Sequence, residues 1–220
     1  MSLGLLIRDE LNGFYRSKVM LFLWVGLPVI SIIMFVVQAS SNGAPVSLAS
    51  LAAVVVAAIG GTLSSVMLAV TIINEKERKV YDLFVIRPIH RWEIVISKFV
   101  AVVVCVVLAG TIAIVLGVAV DAIRLGGLPA DVVSQILDSF MITLAMIGVS
   151  ASTSVLIGIA SPSILVGVIL VLYGSNQLAA VVILPILVAN VSAVLALVIG
   201  VAITAAMLVL ASWYFEKKQL

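Results

Sequence analysis

Residues 99–120 read FVAVVVCVVLAGTIAIVLGVAV, and no charged side chain interrupts them. An α-helix needs about 20 apolar residues to cross about 30 Å of hydrocarbon. The stretch is apolar on every helical face and lacks the alternation of a barrel strand, which argues against a transmembrane β-barrel. It therefore predicts a membrane-spanning helix in an all-α membrane protein.

The rest of the chain has the same character. Of its 220 residues, 64% are apolar and 10% are charged, whereas soluble domains carry roughly 25% charged residues. A water-soluble protein of this size could not cover so much apolar surface, but lipid can. The apolar stretches predict six transmembrane helices, at residues 19–38, 51–73, 98–120, 135–160, 162–184 and 191–214.

The fifth of these spans is irregular in sequence. Ser161 and Pro162 resemble a helix start, with Ser as the N-cap and Pro in the first helical position. The polar segment 173–177 then interrupts the span, and Asn190 follows its end. Two arrangements are open: a kinked span followed by a short external turn, or a shorter span followed by a re-entrant piece.

Basic residues divide unevenly between the two sides of this arrangement. Lys and Arg in short loops stay on the cytoplasmic side. Eleven of the twelve fall on one side: Arg8, Arg16, Lys18, Lys76, Arg78, Lys79, Arg87, Arg91, Lys98, Lys217 and Lys218. Only Arg124 falls on the other. This asymmetry predicts a multi-pass protein of the cell membrane with both termini in the cytoplasm.

The first 18 residues form a separate segment ahead of the spans. Leu3, Ile7, Leu11 and Phe14 recur at helical spacing, so residues 1–18 predict an amphipathic helix, and residues 19–220 the six-helix transmembrane domain. Two interpretations of this N-terminal helix are open. It lies in the membrane interface, or it is a solvated lead-in that anchors the first span.

The loop 74–98 between the second and third spans holds half of the chain's Lys and Arg residues. Pro88 predicts that one helix ends near Ile86 and that another begins after it and runs into the third span. Apolar side chains such as Trp92 lie among the charges. Two interpretations are again open: the loop docks into a groove on a partner protein, or its basic residues enforce topology and Trp92 lies among the headgroups.

Several kinds of chemistry lack the residues they need. No Gly-rich loop ends in Gly-Lys-Ser or Gly-Lys-Thr, so we expect this chain not to bind ATP by itself. His90, the single histidine, lies in the loop, which argues against an intramembrane His site, and neither a catalytic residue nor a metal site is predicted. Cys105 lies in an apolar run and is expected to behave as a small apolar residue.

The small and polar residues of the spans are more ambiguous. Glycine and serine let helices approach closely, and the same flat faces could form a subunit interface or a substrate pathway. Asn176, Gln177 and Asn190 are the polar residues that we expect at an outer gate. Charged residues are absent from the span interiors, which disfavours a secondary carrier that needs ionisable groups near the midplane. A channel or secondary carrier acting without an ATPase nevertheless remains the alternative function.

Residues 75–98 also contain a recognisable motif. Glu75-Lys76-Glu77-Arg78-Lys79 precedes Asp82-Leu83, and Arg87-Pro88-Ile89-His90-Arg91-Trp92-Glu93-Ile94 precedes Lys98. This segment resembles the first cytoplasmic loop of ABC type-2 exporter permeases, where a charged run is followed by Pro-x-x-Arg-x-Glu and by Gly-Lys before the third span. Ser97 replaces that Gly. The Arg-Pro-x-x-Arg-Trp-Glu form is most similar to the subfamily that includes the nitrous oxide reductase maturation permeases.

The resemblance implies six spans, an interfacial N-terminal connecting helix, and a coupling helix in loop 74–98 that docks onto a separate ABC ATPase subunit. ATP and Mg would bind to that ATPase and not to this chain, which would pair with a second copy or with a similar permease within the lipid bilayer. No nucleic acid is expected as a partner. The residues expected to couple to the ATPase are Glu75, Glu77, Arg78, Arg87, Pro88, Ile89, His90, Arg91, Trp92 and Glu93.

Overall fold

The computed structural model describes residues 3–15, 18–39, 53, 55–78, 91–125, 130–182 and 192–217, and these residues are almost entirely helical, with no β-strand among them. This part of the chain contains seven helices, named here in chain order. They are α1 (Leu3–Tyr15), α2 (Lys18–Ala39), α3 (Val56–Glu77), α4 (Arg91–Leu125), α5 (Ala130–Ala160), α6 (Ile164–Ala180) and α7 (Ala193–Lys217). The all-α prediction is confirmed for these residues.

Four of the described helices, α3, α4, α5 and α7, are long and apolar enough to cross a membrane. They coincide with the predicted spans 51–73, 98–120, 135–160 and 191–214, so apolar helices of membrane-spanning length are observed at these positions. Helix α2 occupies the first predicted span and α6 the fifth. The total of six spans stays a prediction.

Helices α3 and α5 lie side by side and run in the same direction. Just before the start of α3, the backbone carbonyl of Ala53 accepts a hydrogen bond of 3.0 Å from the hydroxyl of Thr143, which lies near the middle of α5. Near the end of both, Lys76 Nζ donates to the carbonyl of Ser161 at 3.1 Å. Two parallel neighbours require the chain to return between them. Helix α4 provides that return.

Helix α4 runs antiparallel to α3. Lys98, near its start, pairs with Glu75 at the end of α3, and a Cβ on Gly110, further along, would lie 2.9 Å from the side chain of Val56 at the start of α3. The first described residue of α4 is Arg91, and the helix continues into the third predicted span without a break. A helix that runs into this span was predicted. A helix end was also predicted near Ile86, which lies outside the described residues, and the described helix α3 ends at Glu77.

Helix α7 packs along α5 and runs parallel to it. A Cβ on Gly200 would lie 2.6 Å from the Cβ of Ala145, and a Cβ on Gly148 would lie 3.1 Å from the hydroxyl of Thr204. These glycines bring the two backbones close together, as the small residues of the spans predicted. The rest of α7 is little covered, because only 17% of its most apolar 18-residue window is buried.

Helix α6 is shorter than α3, α4, α5 and α7 and extends along only part of α5. Its 17 residues measure about 25 Å at 1.5 Å per residue, less than the roughly 30 Å of a hydrocarbon core. A Cβ on Gly167, near its start, would touch Ser161 just beyond the end of α5 at 3.4 Å. Near its end, Leu178 packs in one cluster with Ala145 and Val149, close to the middle of α5.

Two sequence predictions about α6 are wrong. The polar segment 173–177 does not break the helix, because residues Val171–Ser175 form a π-helical turn that continues into residues 176–180. The Ser175 hydroxyl donates to the carbonyl of Val171 at 2.6 Å, which satisfies one backbone acceptor within the turn. The N-cap is Ser163 and not Ser161, because Ser161 continues from the end of α5 and donates its N–H to Ile157. Residues 183–191 lie outside the described part, so both arrangements of the fifth span remain open.

Helix α1 packs against α4 and touches α2. Phe14 is buried in the main core, and Tyr15 meets the ring of Trp24 edge-on, with 5.5 Å between centroids. The opposite face, including Arg8 and Asp9, is exposed. The amphipathic helix predicted for residues 1–18 is therefore observed over Leu3–Tyr15, and its choice between membrane interface and water stays open.

These contacts bring one set of helix ends together. The ends of α3, α5 and α7 and the starts of α4 and α6 lie at the same end of the bundle, where α1 packs against α4, and we refer to this as the joint end of the bundle. Cys105 lies further along α4, where it is 2% exposed within the apolar core, as predicted.

Candidate functional site

Three charged side chains from three helices meet at the joint end. Lys98 of α4 places Nζ 2.7 Å from a carboxylate oxygen of Glu10 in α1 and 2.6 Å from one of Glu75 in α3. The Lys98 side chain is 3% exposed, and the two glutamates are 23% and 24% exposed. We call Glu10, Glu75 and Lys98 the charged joint.

The burial of Lys98 explains why it has two partners. A buried ammonium is costly unless it is paired and hydrogen-bonded, and charge-assisted bonds of this length are stronger than neutral ones. The joint carries formal charges of one plus and two minus, so it has an excess negative charge. This negative charge costs little free energy because water reaches both partly exposed glutamates. The aliphatic part of the Lys98 side chain, in contrast, is buried.

The neighbouring residue Lys76 points to another helix. Its Nζ donates to the carbonyls of Ser161 at 3.1 Å and Ile159 at 3.4 Å. The last carbonyls of an α-helix have no partner within the helix and carry a partial negative charge. A lysine at this position donates hydrogen bonds to these carbonyls, and its positive charge interacts favourably with the helix dipole. Lys76 therefore fastens the end of α3 to the end of α5.

The predicted coupling residues that are described lie around the charged joint. Glu75 belongs to it, whereas Glu77 and Arg78 are exposed at the end of α3, where Arg78 Nε donates to the side-chain oxygen of Asn74 at 3.1 Å. Trp92 is 38% exposed and Glu93 half-buried in the first turn of α4.

The side chains of the other five predicted coupling residues are not described. Arg91 is the first residue of α4, and only its backbone is described. Arg87, Pro88, Ile89 and His90 lie outside the described residues. The prediction that these residues contact an ATPase therefore stays a prediction.

The polar residues predicted for an outer gate are only partly described. Asn176 and Gln177 are exposed on α6, one turn or less before Leu178 packs near the middle of α5. They therefore lie at mid-height of the bundle, on a surface otherwise rich in apolar side chains. Asn190 lies outside the described residues. Their role at a gate stays a prediction.

A line of hydroxyl groups occupies the interface between α3 and α5. Ser65 and Ser150 share a hydrogen bond of 2.7 Å, and Thr143 bonds to the carbonyl of Ala53. At the start of α3, the hydroxyl of Ser64 donates at 2.6 Å to the carbonyl of Gly60, the last residue of the π-helical turn Val56–Gly60. A π turn disturbs the backbone pairing of a helix, and neighbouring hydroxyls supply the missing bonds in a membrane. This arrangement favours close packing and offers no base that could activate a serine.

Metal binding finds no support in the part of the chain that the structure describes. No three His, Cys, Asp or Glu side chains come together there.

Glu10, Lys76 and Lys98 were not among the residues predicted for the site. The sequence did contain an indication for Glu10, because it lies three residues after Ile7 and four before Phe14, on the apolar face of α1. Lys98 also carried one, since it follows an apolar run and precedes the longest one. An acidic residue on an apolar face and a lysine at the edge of a span are each paired in this structure. Lys98 was predicted only as a basic residue of the cytoplasmic side and as the end of the loop motif, and Glu10 was given no role.

Comparisons with protein families, curated proteins and solved structures find no match for this chain. A functional assignment therefore depends on the residues and on their arrangement.

Proposed function

We propose that this chain is the membrane-spanning permease subunit of an ATP-driven ABC exporter. Two such subunits, or this one with a similar permease, would work with two separate ATPase subunits. The observation that carries the proposal is the Glu75–Lys98 ion pair of 2.6 Å, which links the two ends of loop 74–98 at the charged joint. The ion pair holds both ends of this loop on the helix bundle. Together with the loop motif, it supports a role for the loop in transmitting movement from an ATPase to the helices.

The proposed mechanism is mechanical. ATP and Mg would bind between the ATPase subunits and close them, and the loop would carry that displacement to the spans. Exposed Arg78, with Arg87 and Arg91, would make charged contacts with the ATPase, and Ile89 and Trp92 would fill an apolar pocket on it. The permease itself would perform no catalysis.

Transport requires a path through the bilayer, and this chain would supply one side of it. The exposed face of α6 with Asn176 and Gln177 is the polar feature of the described spans that suits such a path. An exposed amide at mid-height is unfavourable against lipid tails and gains hydrogen bonds beside water or a second subunit. The transported substrate would pass along this face.

The coupling role is tested by ATPase stimulation in reconstituted complexes. We expect Trp92→Ala combined with Ile89→Ala to reduce stimulation of the partner ATPase by at least about fivefold, the lower range of typical coupling between sites. Trp213→Ala is the matched control, because Trp213 is also exposed and near the joint end but lies on α7. Unchanged stimulation in the double variant, or an equal loss in the control, would contradict the role.

The class of protein is tested by purification and by flux. A permease subunit should co-purify from its native membrane with an ABC ATPase, and the lone chain in liposomes should conduct no ions. Ion flux through the lone chain, with no ATPase partner recovered, would instead support the channel or secondary carrier.

The proposed topology has six spans, with both termini in the cytoplasm. It is supported by the side preference of the basic residues and by the parallel course of α5 and α7, which requires the chain to return between them. Cysteines introduced at exposed Glu216 and at exposed Leu137, near opposite ends of the bundle, should react with an impermeant maleimide from opposite sides of oriented vesicles. Reaction of both from one side would overturn the topology.

A further inference from the structure

Helix α6 buries one face and exposes the opposite one. Val171, Ser175 and Ala179 are between 0% and 3% exposed, because this side of the helix packs against α3 and α5. Residues three and four apart lie on the same face of a helix. Five exposed residues follow this spacing on the opposite side, and we call them the amide face: Ile169, Tyr173, Asn176, Gln177 and Ala180.

The polar groups of the amide face have no partner in the part of the chain that the structure describes. The side chains of Asn176 and Gln177 make no hydrogen bond there. Tyr173 is 74% exposed and adds a hydroxyl group to the same face. These groups lie at mid-height of the bundle, where lipid tails offer neither donors nor acceptors, so leaving them unpaired costs free energy. The amide face therefore requires a polar partner at the middle of the membrane.

The chemistry of this face is complementary to a second copy of itself. A side-chain amide carries both donors and an acceptor, so two identical amides can hydrogen-bond to each other. Asn and Gln side chains form such bonds between helices in membranes. Residues 164–180 contain no charged residue, so two copies of the face would not repel each other.

Symmetry brings the same residues of two copies together. Two copies in one membrane have the same orientation, so their two-fold axis is perpendicular to the membrane. The two α6 helices then run parallel, and each residue lies at the height of its own counterpart. Asn176 would face the partner subunit's Asn176, with Ile169 and Ala180 packing above and below. The small side chain of Ala180 allows the two helices to approach closely.

We propose that two copies of this chain pair in the membrane through the amide face of α6. This inference rests on the proposed function, because an exporter of that class needs two permease subunits, and it names the face at which they meet. The path proposed along α6 would then run between the two copies of the amide face.

Cysteine cross-linking of the full chain in membranes tests the pairing. Cys105 is 2% exposed, so the natural chain should give no cross-linked product. Tyr173→Cys and Ala180→Cys place a thiol on the amide face, and Leu172→Cys and Val181→Cys are controls at exposed positions that flank it. One introduced cysteine is sufficient, because each residue would meet its own counterpart.

Oxidation should join two copies several times faster through Tyr173→Cys and Ala180→Cys than through the flanking positions. The reason is that consecutive residues point about 100° apart around a helix, so the flanking thiols point away from the partner. Ala205→Cys, exposed on α7, is the control on another helix and should give no dimer. Equal rates on and beside the amide face, or the fastest reaction through Ala205→Cys, would overturn the proposal.

The contribution of the amides is tested in the Ala180→Cys background. Replacing both amides, as Asn176→Leu with Gln177→Leu, should raise the dissociation constant of the dimer by about fivefold to tenfold, the effect of one or two hydrogen bonds between membrane helices. The cross-linked fraction at increasing dilution in lipid measures this constant. Asn176→Gln with Gln177→Asn keeps both amides and should leave the constant near its natural value. A constant that the leucines do not change would overturn the proposal.

Other occupants of the face would give other products. A water-filled face would let an impermeant maleimide label Ala180→Cys without joining two copies, and a different permease would give a cross-link to another chain. Either result overturns the proposal. If an ATPase is recovered with the chain but Ala180→Cys gives no dimer, the exporter stands and this interface is wrong. A dimer through the amide face with no ATPase recovered would instead retain the interface and contradict the proposed function.

Discussion

The joint end and the middle of the bundle hold the same helices together by different means. At the joint end, α3 meets its neighbours through long charged side chains, as in the Glu75–Lys98 pair. In the middle, contacts are short: serine meets serine between α3 and α5, and Gly200 meets Ala145 between α7 and α5. The difference indicates at which of the two levels neighbouring helices can separate more readily.

Opening has a different consequence in each region. The glutamates of the charged joint are partly exposed, so water can solvate them when the ties break. In the middle, separating a glycine from its neighbour leaves a void or needs lipid to enter. We therefore expect the loss of a tie at the joint end to let its helices move independently, and the middle to act as a fixed seam.

The largest expected effect is the loss of Lys98. Lys98→Met leaves two carboxylates facing each other without their cation, and we expect the free energy of unfolding to fall by about 3–5 kcal/mol, the usual effect of breaking a buried ion pair. Thermal unfolding in detergent measures the loss, and Lys217→Met at an exposed lysine is the control. Glu10→Gln should lose less, because Lys98 keeps Glu75. Equal losses for Lys98→Met and Lys217→Met would remove the charged joint as a stabilising feature.

An intermediate effect is expected in the middle of the bundle. In Gly200→Ala the new Cβ would lie 2.6 Å from that of Ala145, so α7 must shift, and we expect a loss of about 1–3 kcal/mol from overpacking. Gly4→Ala is the control, because a Cβ there meets nothing within 4 Å. The same unfolding measurement applies. A Gly200 variant as stable as the control would mean that α5 and α7 are not closely packed.

The smallest expected effect concerns one hydroxyl group. Ser150→Ala removes the bond to Ser65, and interhelical bonds of this kind contribute about 0.6 kcal/mol on average in membranes. Ser152→Ala is the matched control, because that buried hydroxyl bonds only to the carbonyl of Val149 in its own helix. The Ser150 variant should unfold at a lower temperature than the Ser152 variant. The opposite order would show that the seam gains nothing from this bond.

The features that local composition determines could be read from the sequence. The apolar stretches located α3, α4, α5 and α7, because each span must satisfy its backbone and cover its side chains by itself. The amphipathic pattern located α1. The charges of loop 74–98 indicated the end of the molecule where the candidate site lies.

Features that depend on a distant partner were not predicted. Glu10 pairs with a lysine 88 residues away, and its position on an apolar face has no local explanation. The segment 173–177 was expected to interrupt a span because it contains Gly, Ser, Asn and Gln. A π-helical turn accommodates it, with a bond from Ser175 to its own helix. Local composition therefore predicted where the apolar helices lie but not which residues form contacts between them.

The placement of Cys105 has a practical consequence. It is the chain's single thiol and lies in the packed interior of α4, 2% exposed. Maleimides and spin-label reagents should hardly reach it in the folded protein. The unmodified protein can therefore serve as the negative control in labelling experiments. A reactive cysteine introduced anywhere on the surface would stand alone, and any labelling of the natural chain would report that its interior had loosened.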